Sequence, residues 1–465
     1  MNTAVSFLGA ARTVTGSRFA VTAPSGRTVL VDCGMYQGAR ELRRRNWSPF
    51  PLRVEGIDAV VLSHAHLDHC GWLPRLVRHG YHGPVLCSPR TAEVAAIVLR
   101  DAAHLQEEDA AHATRRGSSR HTPALPLFDT ADAEKAIDLF RPVPFDRMTP
   151  IGADARVRLR PAGHILGSST VELESGGRTV VFSGDLGRDD HPLLCPPQPP
   201  PAADAVVVES TYGDRRHPPR TLHHLAEHVE RALARGGTVL VPAFAVDRTA
   251  VLLMALRDLM RSGALPTVPV YVDSPMAQAA LEVYRAAVRA GDLQIRDEVR
   301  GRAHDPFDPG ELRLAHSPQE SAALDRLTTP SILVSASGMA TGGRVLHHLV
   351  HLAPNARNLI LLPGFQVPGT RGRAMLDGAA AIKIFGEYVP VRAEVAGLDD
   401  LSAHADAEGL LAWLRGMPAP PHTCYVVHGE PAAAAALTAR IRHDLGWCAV
   451  VPELGERVLV QGRAA

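Results

Sequence analysis

The chain is 465 residues long, is 46% hydrophobic, and carries 49 acidic and 49 basic side chains. That length has room for more than one buried core, the composition excludes extended disorder, and no apolar run reaches bilayer-spanning length. Balanced charge excludes a global basic field that would draw in nucleic acid. The basic side is nearly all arginine, with Lys135 and Lys383 the only lysines, which fits a GC-rich genome as well as it fits phosphate binding. Met1–Ser17 lacks the charged start, apolar core and cleavage site of a secretory signal. Cys33, Cys70, Cys87, Cys195, Cys424 and Cys448 are scattered with no Cys-x-x-Cys pair, so free thiols in a reducing compartment, the cytoplasm, are expected.

In chain order, short apolar runs predict strands at 29–31, 59–62, 84–87, 157–159, 170–173, 179–182 and 205–208, with helices over 92–111 and 132–139. Glu174-Ser175-Gly176-Gly177 reads as a hairpin turn. Mixed strands with helices outside them predict a four-layer α/β sandwich and not a doubly wound sheet. The Pro-rich stretch 192–201 is a spacer, because a strand follows at once. From about Tyr212 a new cycle begins. Helices are expected over 221–234, 248–261 and 276–290, alternating with strands at 238–241, 268–272, 331–335 and 358–362. This alternation predicts a separate parallel sheet flanked by helices. Ligand-type residues return after Val395, so the middle module reads as an insertion into the first domain.

The chemistry concentrates in Ser63-His64-Ala65-His66-Leu67-Asp68-His69, directly after the apolar run 57–62. Ligands on a tight turn at a strand end are rigidly held yet open to solvent, as a catalytic metal site requires. His64 and His66 can face one metal while Asp68 and His69 reach a second beside it. Asp32, His164, Asp185 and His428 also stand at strand ends, beside glycines that let backbone approach closely. Each alone reads equally well as a turn or capping residue. Together with the cluster they supply ligands for two zinc ions: His64, His66 and His164 for one, Asp68, His69 and His428 for the other, with Asp185 bridging.

His64-x-His66-x-Asp68-His69, His164 and Asp185 resemble the successive motifs of the metallo-β-lactamase superfamily, and Asp32 resembles its first motif, an Asp that orients the site from behind the ligands. Glu209-Ser-Thr-Tyr-Gly, Ser402-Ala-His404-Ala-Asp and His428-Gly-Glu resemble motifs A, B and C of its β-CASP branch, which holds nucleases of RNA maturation and DNA repair. Gly9-Ala-Ala-Arg-Thr-Val-Thr-Gly-Ser, Val241-Pro-Ala-Phe-Ala-Val, Ser335-Ala-Ser-Gly-Met and Gly369-Thr-Arg-Gly-Arg extend the resemblance to nearly the whole chain. The relatives it points to are bacterial and archaeal ribonucleases similar to the endonuclease subunit of pre-mRNA cleavage. One departure is Asp247, where relatives usually carry Gly; its place in the inserted module ties it to substrate contacts.

The resemblance implies an αββα sandwich of metallo-β-lactamase type over residues 1–211, closed by 396–465, with an inserted β-CASP α/β domain over 212–395. It also implies a catalytic cleft between the two. Two zinc ions would activate a bridging hydroxide for in-line attack on phosphorus. His404 would be the general acid, oriented and kept protonated by Glu209, with Asp185 and Asp68 in the reacting centre. His428 favours RNA, because DNA-repair members usually carry an apolar residue there. Ser337, Gly338, Arg344, Thr370, Arg371 and Arg373 are candidate RNA contacts on turns. His347, His348 and His351, on a helix, read as solvated or packed.

The expected function is a zinc-dependent, endonucleolytic ribonuclease acting on single-stranded RNA, with no membrane partner and with a homodimer implied only by resemblance. The alternatives are a 5′-3′ exoribonuclease, a DNA-directed nuclease, a lactone or thioester hydrolase, and an inactive RNA-binding scaffold. The end of the chain soon after Val460 favours internal cutting, since 5′-trimming members often carry a further C-terminal domain. The inserted module argues against a small ester, and the filled ligand positions argue against a scaffold.

Overall fold

In a computed structural model, residues 2–462 are described, apart from 118, 120, 219, 302, 303, 399 and 400. The chain divides into two compact units. One comprises Met1–Gln37, Glu41–Arg216 and His404–Ala465; the other comprises Gly38–Arg40 and His217–Ala403.

The first unit is built on two seven-stranded sheets. In spatial order one runs Arg457–Leu459, Ala4–Phe7, Phe19–Thr22, Thr28–Val31, Ile57–Val61, Val85–Cys87 and Phe140–Pro142. The other runs Ala449–Val450, Thr423–Val426, Ala205–Val208, Arg178–Phe182, Ser169–Ser175, Ala155–Pro161 and Thr149–Ile151. In each sheet an antiparallel portion passes into a parallel one. Thr28–Val31 pairs antiparallel with Phe19–Thr22 and parallel with Ile57–Val61. Arg178–Phe182 likewise pairs antiparallel with Ser169–Ser175 and parallel with Ala205–Val208.

Strand periodicity decides which side chain goes where. Val29 and Val31 face Val157, Leu159, Val180 and Phe182 in the core between the sheets. Ala205 and Val207 join that core, whereas Val206 and Val208 point the other way, toward Leu410, Leu411, Leu414 and Leu437. Those leucines belong to helices Ala407–Arg415 and Pro431–Arg440, which form one outer layer. Helices Leu73–Arg78, Pro89–Arg115 and Thr130–Asp138 lie on the side of the first sheet. The unit is thus the expected αββα sandwich.

The second unit holds a six-stranded parallel sheet in the order Leu312–Leu314, Val270–Val272, Ser331–Ser335, Thr238–Pro242, Leu359–Pro363, Glu394–Leu398. The central strands, Thr238–Pro242, Ser331–Ser335 and Leu359–Pro363, are buried throughout. This is why they read as continuous apolar runs. A small hairpin, Ala381–Ile384 with Glu387–Pro390, stands apart from the sheet. Among the described residues no helix is long and apolar enough to cross a membrane.

Asp247 has a local role. It is 2% exposed, its φ is 64°, and Arg248 N donates to Val246 O at 2.8 Å, which makes a γ-turn at the mouth of helix Arg248–Arg261. Tyr284 Oη donates to its carboxylate at 3.3 Å. Asp247 is therefore a packing and turn residue, and the expectation of a substrate contact does not hold for a side chain so buried.

Candidate metal centre

The ligand turn follows directly from strand Ile57–Val61. Ser63, His64 and Ala65 lead into a single helical turn, Leu67–Cys70, with His66 at its N-cap. Its backbone is clamped by the segment after strand Thr28–Val31: Cys33 N donates to His69 O at 2.7 Å and Met35 N to Leu67 O at 2.8 Å. Gly34 makes this approach possible, because a Cβ there would lie 1.6 Å from Asp68 O. His164 and Asp185 come from the loops after strands Ala155–Pro161 and Arg178–Phe182, and His428 follows Thr423–Val426. Gly187 lets the first two loops cross, since its Cβ would fall 1.9 Å from Gly163 O. Asp32 and His428 take left-handed backbone at φ 59° and 48°. Strain of that kind, on the order of 1–2 kcal/mol for a non-glycine residue, clusters at functional sites.

The side chains converge as two donor sets. His64 Nε2 is 3.1 Å from His66 Nδ1, which is 3.2 Å from His164 Nε2. Asp185 Oδ2 lies 3.5 Å from His64 Nε2 and 3.6 Å from His164 Nε2. In the second set His69 Nε2 is 3.2 Å from His428 Nε2, which is 3.4 Å from Asp68 Oδ2. Asp185 Oδ1 stands 3.3 Å from His69 Nε2 and 3.7 Å from His428 Nδ1. The two oxygens of Asp185 therefore face different sets. Glu209, His404 and Asp185 form a third convergent group beside them.

Imidazole nitrogens packed this closely fit a cation better than they fit one another. A tetrahedron with zinc–nitrogen bonds of about 2.0–2.1 Å has edges of about 3.4 Å, close to the separations of both sets. Hydrogen bonds behind the ligands fix their tautomers. His69 Nδ1 donates to Asp32 Oδ2 at 2.7 Å, which leaves the Nε2 lone pair facing the centre. Ser63 Oγ donates to Asp32 Oδ2 at 2.8 Å and so accepts from His64 Nδ1 at 3.0 Å. His428 Nδ1 has Thr211 Oγ1 at 3.2 Å.

Charge points the same way. Burial first, then the His69 charge, holds His64 well below the ordinary imidazole range; burial and then His404 do the same for His164, so both are neutral and have a lone pair to offer. Burial pushes Asp185 up, but His428, His69 and His64 outweigh it and keep the carboxyl well below its usual range. A buried carboxylate beside two imidazoles held neutral, His64 and His164, suits a cation.

His404 sits differently. Its Nδ1 lies 3.2 Å from both Glu209 oxygens, and its Nε2 is 3.9 Å from Asp185 Oδ2. Burial lowers its pKa, yet Glu209, followed by Asp185 and Asp68, outweighs burial and raises it. Glu209 is held in turn by Leu186 N, which donates to Oε1 at 2.7 Å. Ser63 and Thr211, whose hydroxyls orient ligands, were not singled out from sequence. The available signal was their position, Ser63 opening the cluster and Thr211 two residues beyond Glu209.

The candidate RNA contacts gather in the second unit. The turn at Ser337 meets the turn at Thr370, because Gly372 N donates to Met339 O at 3.1 Å and Arg371 Nη1 to Ala340 O at 3.1 Å. Ser337 Oγ accepts from Thr341 N at 3.0 Å, Gly338 O accepts from Gln366 Nε2 at 3.0 Å, and Thr370 caps helix Arg371–Leu376. Arg344 bonds Asp273 at 2.6 Å and Arg373 bonds Asp377 at 2.9 Å. Each thus has an intramolecular partner. His348 is fully buried between Asp273 and Asp325, the packed role expected of it.

Known proteins match along most of the chain. The metallo-beta-lactamase superfamily profile covers residues 19–224, the Beta-Casp domain 249–375, and a Zn-dependent metallo-hydrolase RNA specificity domain 388–452. A ribonuclease of Thermus thermophilus is 40% identical over 425 residues, 91% of this chain and 92% of that one. An RNase J-like protein of Methanocaldococcus jannaschii is 30% identical over 91% of this chain and 92% of its own length. Transcription termination factor FttA of the same organism is 30% identical over 92% of this chain and 67% of its own. A protein of unknown function from Enterococcus faecalis shares the fold, with a TM-score of 0.54 at 14% identity over 99% of this chain and 100% of that one. The chain belongs to the β-CASP branch of the metallo-β-lactamase superfamily and is a metal-dependent hydrolase of the ribonuclease kind.

Proposed function

We propose that this protein is a two-zinc ribonuclease that cuts single-stranded RNA internally. The observation that carries the reading is the pair of donor sets sharing Asp185, with the His404–Glu209 pair beside them. His64, His66 and His164 would hold one ion, Asp68, His69 and His428 the other, and Asp185 would serve both. When bound, zinc supplies Lewis-acid stabilisation of phosphate charge and lowers the pKa of coordinated water.

The chain's own residues do the rest. Asp32 and Ser63 keep His69 and His64 in the tautomer that leaves Nε2 free. His404 carries its proton on the nitrogen facing Asp185 and gives it to the departing ribose oxygen, leaving a 3′-hydroxyl and a 5′-phosphate. Glu209 takes the hydrogen bond from Nδ1, orienting the ring and stabilising the imidazolium. Relatives named ribonuclease and the matched RNA specificity domain support RNA as substrate. Turns at Ser337, Gly338 and Thr370, with Arg344, Arg371 and Arg373, are the proposed RNA contacts on the second unit. Six free cysteines support a reducing compartment such as the cytoplasm.

The test compares internally labelled with 5′-end-labelled single-stranded RNA, beside matched DNA, with and without a chelator. Internal RNA cuts that vanish on chelation are expected. Single nucleotides released from the 5′ end would make the enzyme an exonuclease, and cleavage of DNA alone would overturn the substrate assignment.

A further inference from the structure

The two donor sets account for the bond that is cut but not for how a long strand is held. In a charge-balanced chain many arginines are neutralised by acids, and here Arg78, Arg100, Arg156, Arg158, Arg285 and Arg440 are among those in ion pairs. The segment from helix Arg40–Arg45 to Arg53 departs from this pattern. Arg43, Arg44 and Arg53 are exposed, and among the described residues their side chains make no hydrogen bond or ion pair. Arg45 lies 5.5 Å from the Tyr36 ring. The acids nearby are Glu41, Glu55 and Asp109; none forms an ion pair with these arginines, although Asp109 feels the charge of Arg43. Amid the arginines Trp47 is 50% exposed, with the Arg75 guanidinium 5.6 Å from its ring.

Beneath this surface, Asn46 ties the segment to the residues flanking the ligand turn. Asn46 Oδ1 accepts from Tyr36 N and its Nδ2 donates to Tyr36 O, both at 2.8 Å. Trp72 Nε1 donates to Asn46 O at 2.9 Å, and Trp72 follows the ligand helix Leu67–Cys70 by two residues. Arg18 stacks between, 4.4 Å from Trp72 and 5.3 Å from Tyr36. Unpaired arginines offer phosphate contacts, and an exposed indole offers a base-stacking surface; single-stranded nucleic acid uses both together.

We propose that Arg43, Arg44, Trp47 and Arg53 form an exosite that binds the flank of a single-stranded RNA whose scissile bond lies at the metal centre. This rests on the ribonuclease reading and deepens it: the exosite selects long strands over short ones. Arginine guanidinium groups take phosphates and Trp47 stacks on one base.

The test is binding of labelled RNA under chelation, read by anisotropy across a salt series, with Arg43→Ala/Arg44→Ala/Arg53→Ala and, separately, Trp47→Leu. For three phosphate contacts at about 0.7 each, the triple variant should flatten the log–log salt slope by about 2. Its affinity for long RNA should fall about tenfold, while cleavage of a short oligonucleotide that fills only the metal centre stays unchanged. Trp47→Leu should weaken binding without changing the slope. An unchanged slope and affinity in the triple variant would overturn the exosite. An equal loss of binding to poly-glutamate would overturn it too, by making the patch a dock for an acidic protein. Because binding is read without cleavage, failure of the ribonuclease reading would show separately, as intact RNA in the metal-loaded wild type.

Discussion

At the scale of single residues, variants of His404 and Asp185 would separate the proposed acid catalysis from the proposed metal binding. His404 Nε2 stands 3.9 Å from Asp185 Oδ2 while its Nδ1 bonds to Glu209, so on the proposed roles His404→Ala should leave metal content intact. Its kcat on RNA should fall about 10²–10⁴-fold, the usual worth of a positioned general acid. Asp185→Asn, by contrast, should lose bound metal and activity together; metal analysis beside single-turnover cleavage reads both. Asp32 acts at one remove, through His69 Nδ1. Asp32→Ala should weaken zinc affinity by about 10–100-fold, measured by competition with a chromophoric chelator, with activity restored by excess zinc. A variant that binds zinc as wild type does would refute the orienting role.

At the scale of elements, the ligand turn depends on how closely strand ends approach each other. Gly34 lies against Asp68 O so tightly that Gly34→Ala must displace backbone, which should destabilise the first unit by about 4 kcal/mol or more. Chemical denaturation followed in the metal-bound and metal-free protein would show this loss in both. In the second unit a buried network joins strand Val270–Val272 to helix Val345–Leu352, with Asp273 bonded to His348, Arg344 and Ser321. Burial lowers the His348 pKa, but its bonds to Asp273 and Asp325 outweigh it and raise it above the ordinary 6.5. Burial raises Asp273, and the same partners bring it below its usual value. A raised histidine stabilises fully below its unfolded pKa and loses that contribution as pH climbs through the folded one; the lowered carboxyl loses its own in acid. The stability gap between wild type and His348→Gln should therefore be larger at about pH 5.5 than at about pH 9, by urea unfolding. A gap that widens with pH would reverse the assignment.

At the scale of the whole molecule, every candidate ligand lies in the first unit, although its segments are separated by the entire second one. Metal binding should therefore slow amide exchange in strands Thr28–Val31, Ile57–Val61 and Thr423–Val426 and leave the six-stranded sheet unchanged, which exchange with and without chelator would detect. His64–His69 after an apolar run, and single ligands at later strand ends, were legible because metal chemistry restricts residue types and strand ends restrict position. Helix Arg248–Arg261 and the buried parallel strands were legible from unbroken apolar runs. Strands Ala4–Phe7 and Phe19–Thr22 are no shorter than Thr28–Val31 and Ala205–Val208, which were expected, and became apparent only from their pairing across the sheet. The roles of Ser63 and Thr211 escaped for a related reason: an orienting hydroxyl has no sequence signature apart from the ligand it touches. Asp247 looked like a substrate residue until burial and its bond to Tyr284 gave it a structural role. Local pattern names the ligands, because coordination chemistry is written in residue types. The fold supplies the separations by which Asp185 turns one oxygen to each donor set and His404 faces Glu209, both expected from the resemblance, and it alone shows which arginines are left unpaired, because those are distances between segments far apart in the chain.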